Sequence, residues 1–175
     1  MQKLSYLTNA MADKRDGVNL ESALRGVYNR LSTQSFNSGA IAQDSSNTTN
    51  LKTAAAIHGI VNGVPITKAA TADVFVPVAG QVVAIGKTNV MALFLDAAGT
   101  GTCVLGTPGT TVSNTGLNGA KFPPIPEGKM MIGFVILTGG VTAWTGGTST
   151  FTTSTTDYYC TIVNTVGAFD PTATI

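Results

Sequence analysis

The sequence predicts a mainly β protein: an antiparallel β-sandwich or barrel-like domain preceded by an N-terminal arm with one short helix. Three observations carry that expectation. From Leu51 onward, short apolar runs bounded by Gly, Pro, Asn or Asp recur at about 8–12-residue spacing, as in antiparallel sandwiches and barrels. Asn62-Gly63 separates two such runs, and a two-residue type I′ turn needs φ > 0 at both positions, which Asn and Gly reach at little cost. Thr (27 residues) and Gly (20) dominate the composition and favour strands and turns over helices.

Within 175 residues there is room for one domain with a real core and an appendage. The expected division is an arm over residues 1–50, with a helix over 19–31 and a polar linker, then a β-domain over 51–163 and a tail over 164–175. In the arm, Asn19 can cap a helix whose apolar positions are Leu20, Ala23, Leu24, Val27, Tyr28 and Leu31, one continuous stripe at spacings of three and four. Glu21 suits its first turn and Arg30 its last, while Gly26 weakens it by up to about 1 kcal/mol relative to Ala. Such a helix leans on contacts with something else. Ser32 to Asn50, rich in Ser, Asn, Thr and Gln with isolated Phe36 and Ile41, reads as a linker able to lie extended on another surface. Leu20, Leu24, Val27, Tyr28, Leu31 and Phe36 are therefore the candidate docking residues of the arm.

In the β-domain the Asn62-Gly63 turn pairs Val61 with Val64, Ile60 with Pro65, Gly59 with Ile66, His58 with Thr67 and Ile57 with Lys68. Ile57, Val61, Val64 and Ile66 then share the face to be buried. Pro65 lacks an N–H, so its strand is expected at a sheet edge. Asp73 to Val78 alternates, with Val74, Val76 and Val78 on one face. Gln81–Ile85 and Thr88–Leu95 flank Gly86-Lys87 as a second hairpin, and Asp96-Ala-Ala-Gly99 turns into Thr102–Leu105. The segment 106–124 is a long loop, and Lys129–Leu137 is the most apolar and central strand. Gly pairs at 139–140 and 146–147 bracket a loop carrying Trp144, and Tyr158–Val163 is the last strand. Trp144 and Phe151 are candidates for an outer binding loop, where a sugar ring could stack.

Charged residues make up 11% of the chain, against roughly 25% in ordinary domains, and the formal net charge is +1. A Thr- and Gly-rich surface so poor in charge is most simply explained if partner subunits cover much of it. The 125 residues from Leu51 hold five Lys, no Arg and five acids, which is poor material for counterion release, so no nucleic-acid partner is expected. No apolar run approaches the ~20 residues of a membrane span, and no secretory leader pattern follows Met1.

Catalytic chemistry finds few parts. His58 is the single imidazole, and the carboxylates Asp73, Asp96, Glu127, Asp157 and Asp170 are scattered. Cys103 and Cys160 have no CxxC neighbour or nearby His and read as buried free thiols. No His, Cys or Asp spacing fits a metal loop, and the Gly-rich turns lack the lysine and helix of a phosphate cradle. No enzyme activity, metal or cofactor is expected.

Four stretches carry a likeness to a known group: Asn62-Gly-Val-Pro-Ile-Thr-Lys-Ala-Ala-Thr71, Phe94-Leu-Asp-Ala-Ala-Gly-Thr100, Phe122-Pro-Pro-Ile-Pro-Glu-Gly-Lys-Met-Met-Ile-Gly-Phe-Val135 and Thr155-Thr-Asp157. In this order, over roughly 51–163, the chain resembles virion structural proteins of tailed bacteriophages. The resemblance implies a compact β-domain on a particle, often trimeric, serving as head decoration, cement or head fibre. It implies as partners copies of the chain and the major capsid protein or another virion protein. The implied location is the particle surface, reached after assembly in the host cytoplasm. A host-glycan-binding adsorption module of a tail or fibre is the alternative expectation. The arm before residue 50 has no counterpart in the resemblance.

Overall fold

The computed structural model describes residues 32–112, 116–152 and 157–165. Its framework is a ladder between two long strands, β8 (Lys87–Asp96) and β11 (Lys129–Gly139), numbered with all strands in chain order. Each carries a long apolar run, Val90–Leu95 in β8 and Met130–Leu137 in β11, and nearly every residue in each strand is buried. Such runs belong in a strand covered on both faces. β13 (Tyr158–Asn164) pairs with the far side of β11, while β9 (Gly101–Leu105) and β10 (Gly109–Thr110) pair with the far side of β8. The result is a five-stranded antiparallel sheet with β11 central, as the sequence predicts.

The second layer consists of three small antiparallel sheets. β1 (Gln34–Ser35), β4 (Ile57–Val61) and β5 (Val64–Lys68) form one; β2 (Ile41–Gln43), β3 (Leu51–Thr53) and β6 (Thr71–Phe75) form another. β7 (Val82–Val83) and β12 (Trp144–Thr145) form the third. Ile41, Leu51, Ile57, Val61, Phe75 and Val83 from this layer pack with Met91, Leu93, Val135, Leu137 and Cys160 of the main sheet in one core. The arrangement is a mainly β sandwich.

The Asn62-Gly63 hairpin forms with all five expected residue pairs. Asn62 and Gly63 both take positive φ, +50° and +77°. β5, with Pro65, is an edge of its sheet. Ile57 and Val61 are buried, but Val64 is exposed, because the second layer stops at β5 and nothing described covers its end. The Asp96 turn also forms as expected. Its Oδ1 accepts the N–H groups of Ala98 and Thr100, both at 2.9 Å, closing the β8–β9 hairpin.

Four further expectations differ from the structure. Ser32 to Asn50 is not a free linker: β1 pairs with β4, β2 pairs with β3, and Ile41 enters the core. Its few apolar groups suffice because the strands are only two and three residues long and borrow an existing sheet. In β6 the buried residue is Phe75, followed by Pro77, while Val76 and Val78 face outward. A phenyl ring gains more from burial than a valine, so it sets the face. Gln81–Ile85 does not form a hairpin with β8, since β9 and β10 occupy that side of β8; Val82 and Val83 pair with β12 instead. The segment 106–124 is partly organised: Thr107 and Lys121 form a bridge, and Leu117, Ala120 and Phe122 cover the second face of the main sheet. The helix expected over 19–31 and the tail from 166 onward lie outside the described residues.

At Gly101 the ends of β6 and β9 meet so closely that a Cβ would collide with the Val74 carbonyl. Gly101→Ala is expected to lower stability by about 1–3 kcal/mol through forced backbone displacement. A urea midpoint equal to that of the parent chain would contradict this.

Candidate interaction surface

The aromatic pair proposed for an outer loop is internal. Trp144 is 0% and Phe151 2% exposed, and their rings pack with centroids 5.5 Å apart. The reading of Trp144 and Phe151 as a surface binding loop is therefore corrected: neither ring offers a face to a ligand. The glycines on both sides suggested an exposed turn, yet they allow the backbones to approach. Gly146 lies against the Val78 carbonyl, and Gly139 against that of Ala84. Two short strands can then hold an indole over the core, where its large apolar area gains most.

Of the arm residues, Leu20, Leu24, Val27, Tyr28 and Leu31 lie outside the described residues. Phe36 is 54% exposed, directly after β1, with its backbone N–H bonded to the His58 carbonyl at 2.8 Å. It remains a candidate contact, now fixed to the β-domain.

Among the described residues the groups able to do chemistry do not converge. His58 is exposed, and its Nδ1 lies 3.1 Å from Thr67 Oγ1 across the hairpin. Asp96 is spent on its own turn. Cys103 and Cys160 are buried free thiols, and burial pushes both up to about 12. Among the described residues no group of three His, Cys, Asp or Glu side chains could hold a metal ion. A shallow recess of about 270 Å³ between β6 and the Gly99 turn is lined by Lys68, Asp73 and Thr100 among others. It is open and lies below the usual size range of ligand pockets.

Asp44, which the sequence reading passed over, has a structural task. Its side chain is buried and accepts the N–H of Ser46 at 2.8 Å and that of Asp73 at 2.9 Å. Asp73 has φ +50°, and its carboxylate accepts the Asn50 amide at 2.7 Å. The hydrogen bond from Ser46 is the largest influence holding the Asp44 carboxyl below its ordinary value; burial opposes it, and the Asp73 N–H and Lys52 assist. The polar cluster ties the β2–β3 turn to β6. A carboxylate's preference for serial N–H donors is legible in sequence only as Asp-Ser-Ser, a weak turn signal.

What the surface does offer is apolar. Val76, Val78, Val82 and Ile85, each more than half exposed, lie within residues 75–85, where Phe75, Pro77 and Val83 are buried. Val141 extends this strip on the adjoining segment, which Ile85 joins through its bridge to Gly139. Exposed apolar side chains so close together in the chain are candidates for a contact site. Comparison with known proteins finds no matching family model, no similar curated protein and no similar solved structure.

Two outcomes follow from this geometry. A carboxyl whose folded value is depressed adds stability above the ordinary carboxylate range, and that stability is lost as pH falls through it. Asp44→Ala is therefore expected to unfold at lower urea at pH 7 and to lose less stability than the parent below about pH 4. Parallel stability–pH curves for the two chains would contradict the assignment. The thiols are expected to resist maleimide at pH 8, where a group titrating near 12 is about one part in ten thousand thiolate, and both to react after unfolding. Rapid labelling of the folded chain would show that they are accessible.

Proposed function

We propose that this chain is a structural protein of a tailed-bacteriophage particle, a capsid decoration or cement protein or a head fibre, which stabilises or adorns the particle by non-covalent docking. The observation that carries the reading is the exposed strip Val76, Val78, Val82 and Ile85 on a sparsely charged domain with scattered titratable groups. The ordered resemblance of four stretches to virion structural proteins supports it from the sequence side. The partners under this reading are copies of the chain, with a trimer favoured, and the major capsid protein or another virion protein. Nucleic acid and membrane have no part in it. The stripe Leu20, Leu24, Val27, Tyr28 and Leu31 supplies a second contact in the arm.

The energetics suit docking. Full burial of one Val- to Leu-sized side chain contributes about 1.5–3 kcal/mol. A handful of such residues exceeds the cost of association and ordering only when repeated over several subunits, as on a particle. The chain is expected in purified particles, at regular lattice positions by electron microscopy. Leu24→Asp with Tyr28→Asp is expected to reduce its copy number in particles by about tenfold or more, with the circular dichroism of the β-domain unchanged. Purified particles that lack the chain while the host lysate holds it in soluble form would overturn the proposal.

A further inference from the structure

We propose that β13 is a self-pairing edge: two copies of this chain join antiparallel through Tyr158–Asn164, extending the main sheet across a two-fold axis at Thr161. The inference goes beyond the virion reading and stands without it.

β13 ends the strand order β10-β8-β11-β13, so one side of it has no strand partner among the described residues. The direction of its free groups follows from the ladder. Thr165 donates its N–H to the Ile132 carbonyl, and Val163 lies opposite Phe134. In an antiparallel pair the bonding residues alternate, so Tyr159, Thr161 and Val163 bond to β11. Tyr158, Cys160, Ile162 and Asn164 thus turn their backbone N–H and C=O groups to the open side.

Proteins block open edges with charge, proline, bulges, short strands or a covering segment. Other edges here carry such devices: β5 has Pro65 and Lys68, β10 is two residues long, and the end of β6 lies against β9 at Gly101. β13 has no charge, proline or bulge and is not short; β2 touches its end, where Ile41 donates its N–H to Asn164 Oδ1 at 2.7 Å. The strand is seven residues, Tyr-Tyr-Cys-Thr-Ile-Val-Asn, without charge, proline or glycine.

The side chains favour a second copy as the occupant. Only pairings between residues of equal parity bring the outward groups together, and centring on Thr161 uses the whole strand. Tyr159 then faces the second copy's Val163, and Thr161 faces its own equivalent. Aromatic–β-branched and Thr–Thr pairs are among the favourable cross-strand combinations. No charge is buried.

Thr161→Cys in the full chain provides the test. On the axis the two residues form a non-hydrogen-bonded pair with Cα atoms about 4.5 Å apart, within disulfide reach. Mild oxidation is expected to give a reductant-sensitive dimer of Thr161→Cys, while the parent, whose two thiols are buried, gives none. Sedimentation equilibrium is expected to show Thr161→Lys weakening self-association by about tenfold or more, through opposed like charges. Thr161→Val, which keeps the shape and strand preference, is expected to associate as the parent does. A parent chain that stays monomeric, with Thr161→Cys uncrosslinked, would overturn the proposal. So would an assembly that Thr161→Lys leaves intact and Thr161→Cys fails to lock, since the copies would then meet elsewhere.

Discussion

Everything in this domain depends on the ladder between β8 and β11. Its residues are buried on both faces, with Met91, Leu93, Val135 and Leu137 toward the small sheets and Val90, Ala92, Phe94, Phe134 and Ile136 toward the other side. Backbone groups in such a place must be paired, because an unmade hydrogen bond there costs its full desolvation. A long antiparallel pair satisfies both strands at once, and β9, β10 and β13 satisfy the outer sides. The second layer is then free to be made of short pieces. Strands of two to five residues would be unstable alone, but each needs only one or two apolar side chains against the continuous sheet.

The division of labour explains what could be read from the sequence. The Asn62-Gly63 turn and its register are local chemistry, needing only two residues that tolerate positive φ. β11 was visible because a strand buried on both faces is apolar throughout. The faces of β6 and the pairing of β7 were not visible, because alternation gives a face only relative to a layer whose position it does not encode. Trp144 was misread for a related reason. Glycines flank both exposed turns and close backbone approaches, and only the neighbouring segment at 77–85 distinguishes the two. The strands at 34–35 and 41–43 were hidden by their polarity: Ile41 is the single large apolar group that docks there.

The surface is the other half of the account. Among the described residues the imidazole is on a hairpin, the thiols are buried in the core, and Asp44 and Asp96 hold turns. Polar side chains such as Asn37, Asp44, Asn50 and Asp96 are occupied with local architecture. Of the large apolar side chains that escape the core, Val76, Val78, Val82 and Ile85 lie close together in the chain around β7. Under the docking proposal, the sandwich matters because it holds these side chains in fixed places.

Oxidative footprinting of the strip 76–85 in the free chain and in purified particles addresses the central claim most directly. If contact is the function, Val76, Val78, Val82 and Ile85 are modified readily in the free chain and protected on the particle. Equal modification of the strip in both states would mean that this surface meets no partner, and the account would fail.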